Sequence, residues 1–437
     1  MTEVDDLARW SSTVDWKAQP QNVQASVRRV LRDSLAVMVA GGQLAESAAR
    51  RRALPLSDGP ATVAGSKSTT AVCDAAWLNG CSLVALELDE GNKEIRGHAT
   101  AHVLPAALAV AEAAHRTGPE FAAAFLAGHE VASRFGRATR LHAGVHPHGN
   151  WGVTGAAAAV AHLHRGDARA TAAAIDAASA LALATPFPVA LEGLPVRDAW
   201  IGQANASGIR AWAAADSTRG ATGVAALSLG RILGEFDAEA LTDDAPLAIT
   251  GGYLKRHASC SYTHPPADAA LAVREKRDPE AGVEDIVVET HRLAAALDTR
   301  IWPSRLAAMF SVPYVVATAL RDGACPPEAF DEAHRADPAL KALAAKVRVV
   351  HDPALDARLP KERVARLRVR WTDGGEEVVE VPNPVGDADH EPLSEADLTA
   401  KAVMLLGATA HRVRDLADAL VDASDVAGVM ASLREES

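Results

Sequence analysis

Between Ala85 and Pro105 the chain reads ALELDEGNKEIRGHATAHVLPA, placing Glu87, Asp89, Glu90, Lys93, Glu94, Arg96, His98 and His102 within two dozen positions. Alternating Glu87 and Asp89 around Leu88 serves neither a helix nor an apolar core. Mixed carboxylates and imidazoles are what general acid–base chemistry needs. Gly91 and Gly97 are expected to let the backbone turn without a Cβ penalty. The plain alternative is a solvated loop between helices, whose charges do nothing. A second cluster, His142 to Gly152, gathers His142, His146 and His148 with Pro147 and three glycines. A third, Lys255-Arg256-His257, lies just before Cys260.

These clusters interrupt apolar, Ala-rich segments that must hold them. Val23, Val27, Val30, Leu31, Leu35 and Met38 recur at helical spacing, with Gly41-Gly42 as the expected stop. Arg50 to Ser68 reads as a turn-rich connector, with a short extended piece around Thr62-Val63-Ala64. Further helices are expected over Thr70–Leu86, around Pro105 with an end at Gly118, and from Pro119 with Phe121, Phe125 and Leu126 on one face. Others follow over Val153–His164, Ala168–Ala184 and Ile201–Ala215, the last ending near Gly220. After about Gly251 the pattern changes. Ile286-Val-Val-Glu-Thr and Val347-Arg-Val-Val read as strands among helical pieces at Pro265–Glu275 and Ser304–Leu320. Leu367, Val369 and Trp371 alternate with Arg366, Arg368 and Arg370 before Asp373-Gly374-Gly375, a hairpin signal; the three arginines belong to a solvent face. From Ser394, a plausible N-cap, the chain is helical again. The expectation is a helical body over 1–250, a smaller α+β domain over 251–384, and a helical return over 385–437.

Composition bounds the function. The 437 residues favour two or three domains. Apolar residues make up 49% but aromatics only 4%, so small side chains and close helix packing are expected. A net charge of −12, from 44 basic and 56 acidic residues, argues against nucleic acid as a partner. Cys73, Cys81, Cys260 and Cys325 lack CxxC spacing and read as reduced thiols. No signal pattern and no long apolar run is present, so a cytoplasmic protein that does not engage a membrane is expected. His98 and His102, four apart, have the spacing of two metal ligands on a helix, but Gly97 and the absence of HExxH argue for no metal.

The stretches ALELDEGNKEIRGHATAHVLPAALA, GHEVASRFGRATRLHAGVHPHGNWGVTGAAAA, KRHASCSYTHPPADAAL and NPVGDADHEPLSEADLTAK together resemble the MmgE/PrpD family, which includes 2-methylcitrate dehydratase and cis-aconitate decarboxylase. The resemblance implies a mainly α fold: a large all-helical domain built from both chain ends, a smaller α+β lid domain, and an active site between them. It further implies a homodimer with no metal or organic cofactor. Its acidic motif corresponds to Glu87 and Asp89, with Gly91 where a small hydroxyl residue often stands. Its downstream His corresponds to His98, followed by Ala99 instead of Pro, and its His-Pro pair to His146-Pro147. Arg197 stands where Lys is usual, Trp200 where His is common, and Lys255 opens the lid motif. Cys260 replaces the His of decarboxylase-like members. Arg for Lys keeps a carboxylate clamp but loses an easily deprotonated amine. Cys for His removes a proton donor suited to a carbanion-like intermediate.

The resemblance implies a lyase, a hydro-lyase of the 2-methylcitrate dehydratase type, acting on a small di- or tricarboxylate, with dehydration favoured over decarboxylation. Asp89, Glu87, His98 and His146 are the acid–base candidates. Arg197, Lys255 and Arg256 are the carboxylate grips. Cys260, Trp200 and Tyr314 would shape the binding site, and Tyr262 could position a hydroxyl. Each has a plainer alternative: a polar turn at His146-Pro147-His148, an inert buried thiol at Cys260, a solvated charge run at Lys255-Arg256-His257. The competing function is an isomerase or epimerase of a dicarboxylate such as iminodisuccinate, which would abstract and return the same proton. A catalytically retired binding protein is the third reading.

Overall fold

The computed structural model describes residues 2–218, 223–277 and 282–436. The chain is mainly helical. The helix Gln21–Gln43 buries Val23, Val27, Val30, Leu31, Leu35 and Met38 on one face, as their spacing requires. It does not stop at Gly41-Gly42. A Cβ on Gly41 would lie 2.0 Å from the Ser82 carbonyl oxygen, so glycine here permits close approach to the helix Val72–Val84. The helix ends at Gln43, one residue past Gly41-Gly42, so Gly41 is a packing device close to the expected stop.

The connector after it is partly helical, Ala45–Ala53, before the short strand Ala61–Thr62 pairs with Thr69–Thr70. The helix Ala99–Ala113 is buried at every position except its last. Pro105 lies inside it, not at its start, and leaves the Ala101 carbonyl without its usual donor. Asn205 supplies the repair: its Nδ2 donates to Ala101 O at 2.9 Å, and its Oδ1 accepts from Ala106 N–H at 2.9 Å. Gly118 begins the next helix instead of ending this one. Thr117 and Glu120 form a capping box for Gly118–Ala138, with Pro119 in the first turn and Phe121, Phe125 and Leu126 buried.

Helices Val153–Leu163 and Ala168–Ser179 follow, the second ending short of Ala184. The helix Val196–Thr218 starts earlier than Ile201 and takes Arg197 and Trp200 into its first turns. Its expected end near Gly220 lies outside the described residues.

A four-stranded sheet forms later, in the order Val347–His351, Val283–Thr290, Ala365–Trp371, Glu376–Val381; the first pair is parallel and the others antiparallel. Leu367, Val369 and Trp371 are buried, while Arg366 faces outward to pair with Glu289 and Glu380. The helix His264–Lys276 packs on this sheet. The segment read as one helix from Ser304 is two, Arg305–Met309 and Val312–Asp322, each with its own serine cap, Ser304 and Ser311.

Ser394 and Asp397 form a capping box at the start of Glu395–Leu406. This helix and Ala410–Leu420 lie along Gln21–Gln43, tied to it by Lys401–Asp33 and Arg32–Asp418, each at 2.7 Å. Among the described residues no helix is long and apolar enough to cross a membrane.

Candidate functional site

The helix Val72–Val84 ends at Ala85, and the chain enters the acidic stretch with Glu87 in the left-handed region (φ 52°). Arg96 is also left-handed (φ 50°), whereas Gly91 and Gly97 are not. The expected turning role of the two glycines is therefore a close-approach role. A Cβ on Gly91 would sit 2.4 Å from the Tyr253 hydroxyl oxygen, and one on Gly97 2.4 Å from the Trp151 ring. Backbone strain at Glu87, a β-carbon-bearing residue, persists only because its surroundings hold it.

Four charged side chains, all buried, converge here. Lys255 Nζ donates to Glu87 Oε2 at 3.2 Å and to Asp89 Oδ1 at 3.0 Å. Arg197 Nη2 pairs with the other oxygen of Glu87. Its neighbour Asp198 lies 3.6 Å from Arg197 Nη1, and Arg50 lies 3.5 Å from Asp198. Burial works against charge on Asp89, yet His98 and Lys255 outweigh it and hold its pKa well below the usual carboxylate range. Burial likewise opposes the Lys255 ammonium, but Asp89 and Glu87 prevail and raise its pKa. The same balance, with Glu87 as the main partner, raises Arg197. All three stay ionised near neutrality.

The Arg197 guanidinium is not saturated. Its buried Nε has no hydrogen-bond partner among the described residues. Buried polar atoms of this kind call for a partner.

The imidazoles divide by tautomer. His98 Nδ1 faces two acceptors, the Glu90 carbonyl at 2.8 Å and Asp89 Oδ2 at 3.0 Å. A nitrogen between acceptors carries the proton, so the lone pair of neutral His98 is on Nε2. His146 is the reverse. Its Nδ1 accepts from the His148 backbone N–H at 3.1 Å, which leaves the proton on Nε2. Burial, then Arg197, push the His146 pKa well below normal, so it is a neutral donor. His102 uses both nitrogens: Nδ1 donates to His98 O at 2.8 Å and Nε2 accepts from Gly149 N–H at 3.0 Å. With burial lowering its pKa to about 4, it ties the two loops together as a neutral ring. The His98/His102 spacing therefore does not offer two free ligands, and no group of three or more ligating residues suited to a metal occurs among the described residues.

His148, named in the second cluster but given no role there, stands at the centre of the imidazoles. Its ring is 4.5 Å from that of His146 and 5.1 Å from that of His98, both edge-on, and its Nδ1 has no partner. The His-Pro-His spacing was the available signal. Thr185 Oγ1 donates to the His146 and His148 carbonyls, fixing this loop. The Trp200 ring lies 5.4 Å from His146. Cys260 is buried; desolvation and then Glu87 push its thiol up to about 12, so it remains protonated.

Two expected binding residues are engaged elsewhere. Arg256 is half exposed, 3.8 Å from Asp268. Tyr314 donates to the Ala329 carbonyl at 2.6 Å, lies 2.8 Å from His334 Nδ1, and packs on Trp302. Tyr262 packs edge-on to His291. The structure thus brings together Glu87, Asp89, His98, His146, Arg197, Trp200, Lys255 and Cys260, and leaves Arg256 and Tyr314 in other settings.

The MmgE/PrpD N-terminal domain matches residues 5–236, and the MmgE/PrpD C-terminal domain matches residues 257–424. The chain belongs to the MmgE/PrpD family. Both matches flank the cluster's contributors: Glu87 to Trp200 fall in the first and Cys260 in the second, with Lys255 just before it. No curated protein matches the chain. Membership in MmgE/PrpD supports a dehydratase- or lyase-like enzyme.

Proposed function

We propose that the chain is a lyase that removes water from a small di- or tricarboxylic acid of the 2-methylcitrate or aconitate type. The observation that carries this is the buried Arg197–Glu87–Lys255–Asp89 cluster, with the guanidinium Nε left without a partner, flanked by two imidazoles of opposite tautomer. In this reading Arg197 and Lys255 grip substrate carboxylates and offset the charge that develops on the adjacent carbon. His98 Nε2, oriented from behind by Asp89, takes the proton next to a carboxylate. His146 Nε2–H gives its proton to the departing hydroxyl, which leaves as water; the proton taken from carbon stays on His98 until it passes to solvent, and His146 is reprotonated from solvent. Trp200 forms the apolar wall. Dehydration is favoured over decarboxylation because Cys260, a neutral thiol, replaces an imidazole. We further propose that residues 251–384 form a lid that carries Lys255 onto the acidic loop, and that the protein acts as a homodimer.

The second reading is an isomerase or epimerase of a dicarboxylate such as iminodisuccinate. Asp89–His98 could abstract a proton and return it without expulsion of a group. Proton NMR in D2O with 2-methylcitrate, citrate, cis-aconitate and iminodisuccinate separates the readings. A vinyl signal with loss of water supports the lyase. Deuterium entering one carbon with no elimination moves the assignment to the epimerase. Silence across the panel means that Gly91, Arg197 and Cys260 mark a site retuned to another acid, or retired.

A further inference from the structure

The backbone that presents the two carboxylates is held from the far end of the chain. Lys401, in the helix Glu395–Leu406, donates from Nζ to the Leu88 carbonyl at 3.0 Å and pairs with Asp33 of Gln21–Gln43 at 2.7 Å. Lys401 and Asp33 are both buried, and Leu88 sits between Glu87 and Asp89. Leu88 itself is fully buried, which turns its side chain to the core and leaves its carbonyl needing a polar partner. Four more contacts hold the following part of the loop. Gly91 exchanges backbone hydrogen bonds with Tyr253 at 3.1 and 2.7 Å, and Lys93 reaches Asp387 at 3.2 Å and Asp389 at 2.6 Å. Among the described residues only Lys401 bonds the backbone between the two carboxylates, one residue after the left-handed Glu87.

We propose that Lys401, supported by Asp33, is a positioning residue that holds the Glu87-Leu88-Asp89 backbone so that both carboxylates face Lys255 and Arg197. A charged pair is used because a carbonyl buried at this point needs a donor, and a buried ammonium needs a counter-ion. An apolar pair of similar volume would pack as well but would release the carbonyl. The effect on turnover rests on the acid–base reading above; the effect on the loop does not.

The test pairs Lys401→Met with Asp33→Asn, so that neither charge is stranded, and measures two things. Deuterium exchange of the Leu86–Gly91 backbone amides, without substrate, is expected to quicken at least tenfold in this segment alone. With the substrate found from the D2O panel, kcat is expected to fall tenfold or more while KM changes less than threefold, and Lys401→Arg to recover most of the loss. If the double variant fails to fold, Lys401→Gln with Asp33→Asn is measured instead. Unchanged exchange over Leu86–Gly91 in a folded variant overturns the proposal, as does a drop in kcat matched by an equal loss of folded protein. Faster exchange in that segment with no wild-type reaction on any acid supports the positioning role and sinks the enzymatic reading alone.

Discussion

Replacing Asp89 by Asn removes one charge from a buried set of four and keeps the shape. At 3.0 Å from Lys255 and an effective dielectric near 20, the lost attraction is about 5.5 kcal/mol before desolvation. Burying Asp89 costs several kcal/mol that Asn does not incur, and Glu87 still contacts Lys255 at 3.2 Å. The net destabilisation at neutral pH is therefore about 1–3 kcal/mol, small enough for the protein to stay folded. The sign with pH follows from the depressed Asp89 pKa. Its contribution is complete above the unfolded-state value of about 3.9 and is lost as pH falls through the lower folded-state value. The gap between wild type and Asp89→Asn in urea denaturation should thus be at its full width at pH 7 and narrow progressively as pH falls below about 4. Activity should suffer more. Without the carboxylate behind it, His98 loses orientation and counter-charge, and a loss of about 100- to 10,000-fold in kcat/KM is expected, or about 3–5 kcal/mol of barrier. The assay is deuterium incorporation at the substrate's α-carbon, with far-UV circular dichroism as the folding control. A folded Asp89→Asn protein exchanging at near wild-type rate would refute the reasoning. So would a stability gap that widens on acidification.

His146→Ala should cut turnover by about 100-fold or more with helicity unchanged, as a neutral donor next to the reacting oxygen is lost; a minor effect on kcat would remove His146 from the chemistry. Cys260→Ala should retain most activity, and the native thiol should resist iodoacetamide at pH 8, since its pKa is pushed up to about 12; rapid alkylation there would contradict the burial argument. Gly41→Ala should lower stability by about 1–3 kcal/mol in thermal melts, because its Cβ would meet Ser82 O at 2.0 Å; an unchanged Tm would mean that the two helices can separate freely. Limited proteolysis between Gly251 and Pro384 should slow when substrate is added, and equal cleavage with and without it would count against lid closure.

The amphipathic spacing of Val23 to Met38, the alternation of Leu367, Val369 and Trp371, and the Ser394 cap were all legible in the sequence, because each depends on neighbours within a turn or a hairpin. So was the break in helical pattern at Glu87, Asp89 and His98, whose charges do not belong to an apolar core or a regular helix. Gly91 and Gly118 differ from expectation for different reasons, and Gly41 has a second role. A glycine's local signal is a turn, but Gly41 and Gly91 serve neighbours distant in sequence, Ser82 and Tyr253, and Gly118 lies behind the Thr117 cap. Lys255 was recognisable by family pattern, yet its two carboxylate partners lie about 170 residues earlier. The tautomers of His98, His102 and His146 were set by carbonyls and amide N–H groups that only folding brings near. Arg256 and Tyr314, plausible by residue type, found Asp268 and Ala329 instead. Residue type and short-range spacing determined which groups are available for chemistry. Their pairing, protonation and access to one another are through-space electrostatics, falling off over a few ångströms, and only the tertiary structure sets those distances.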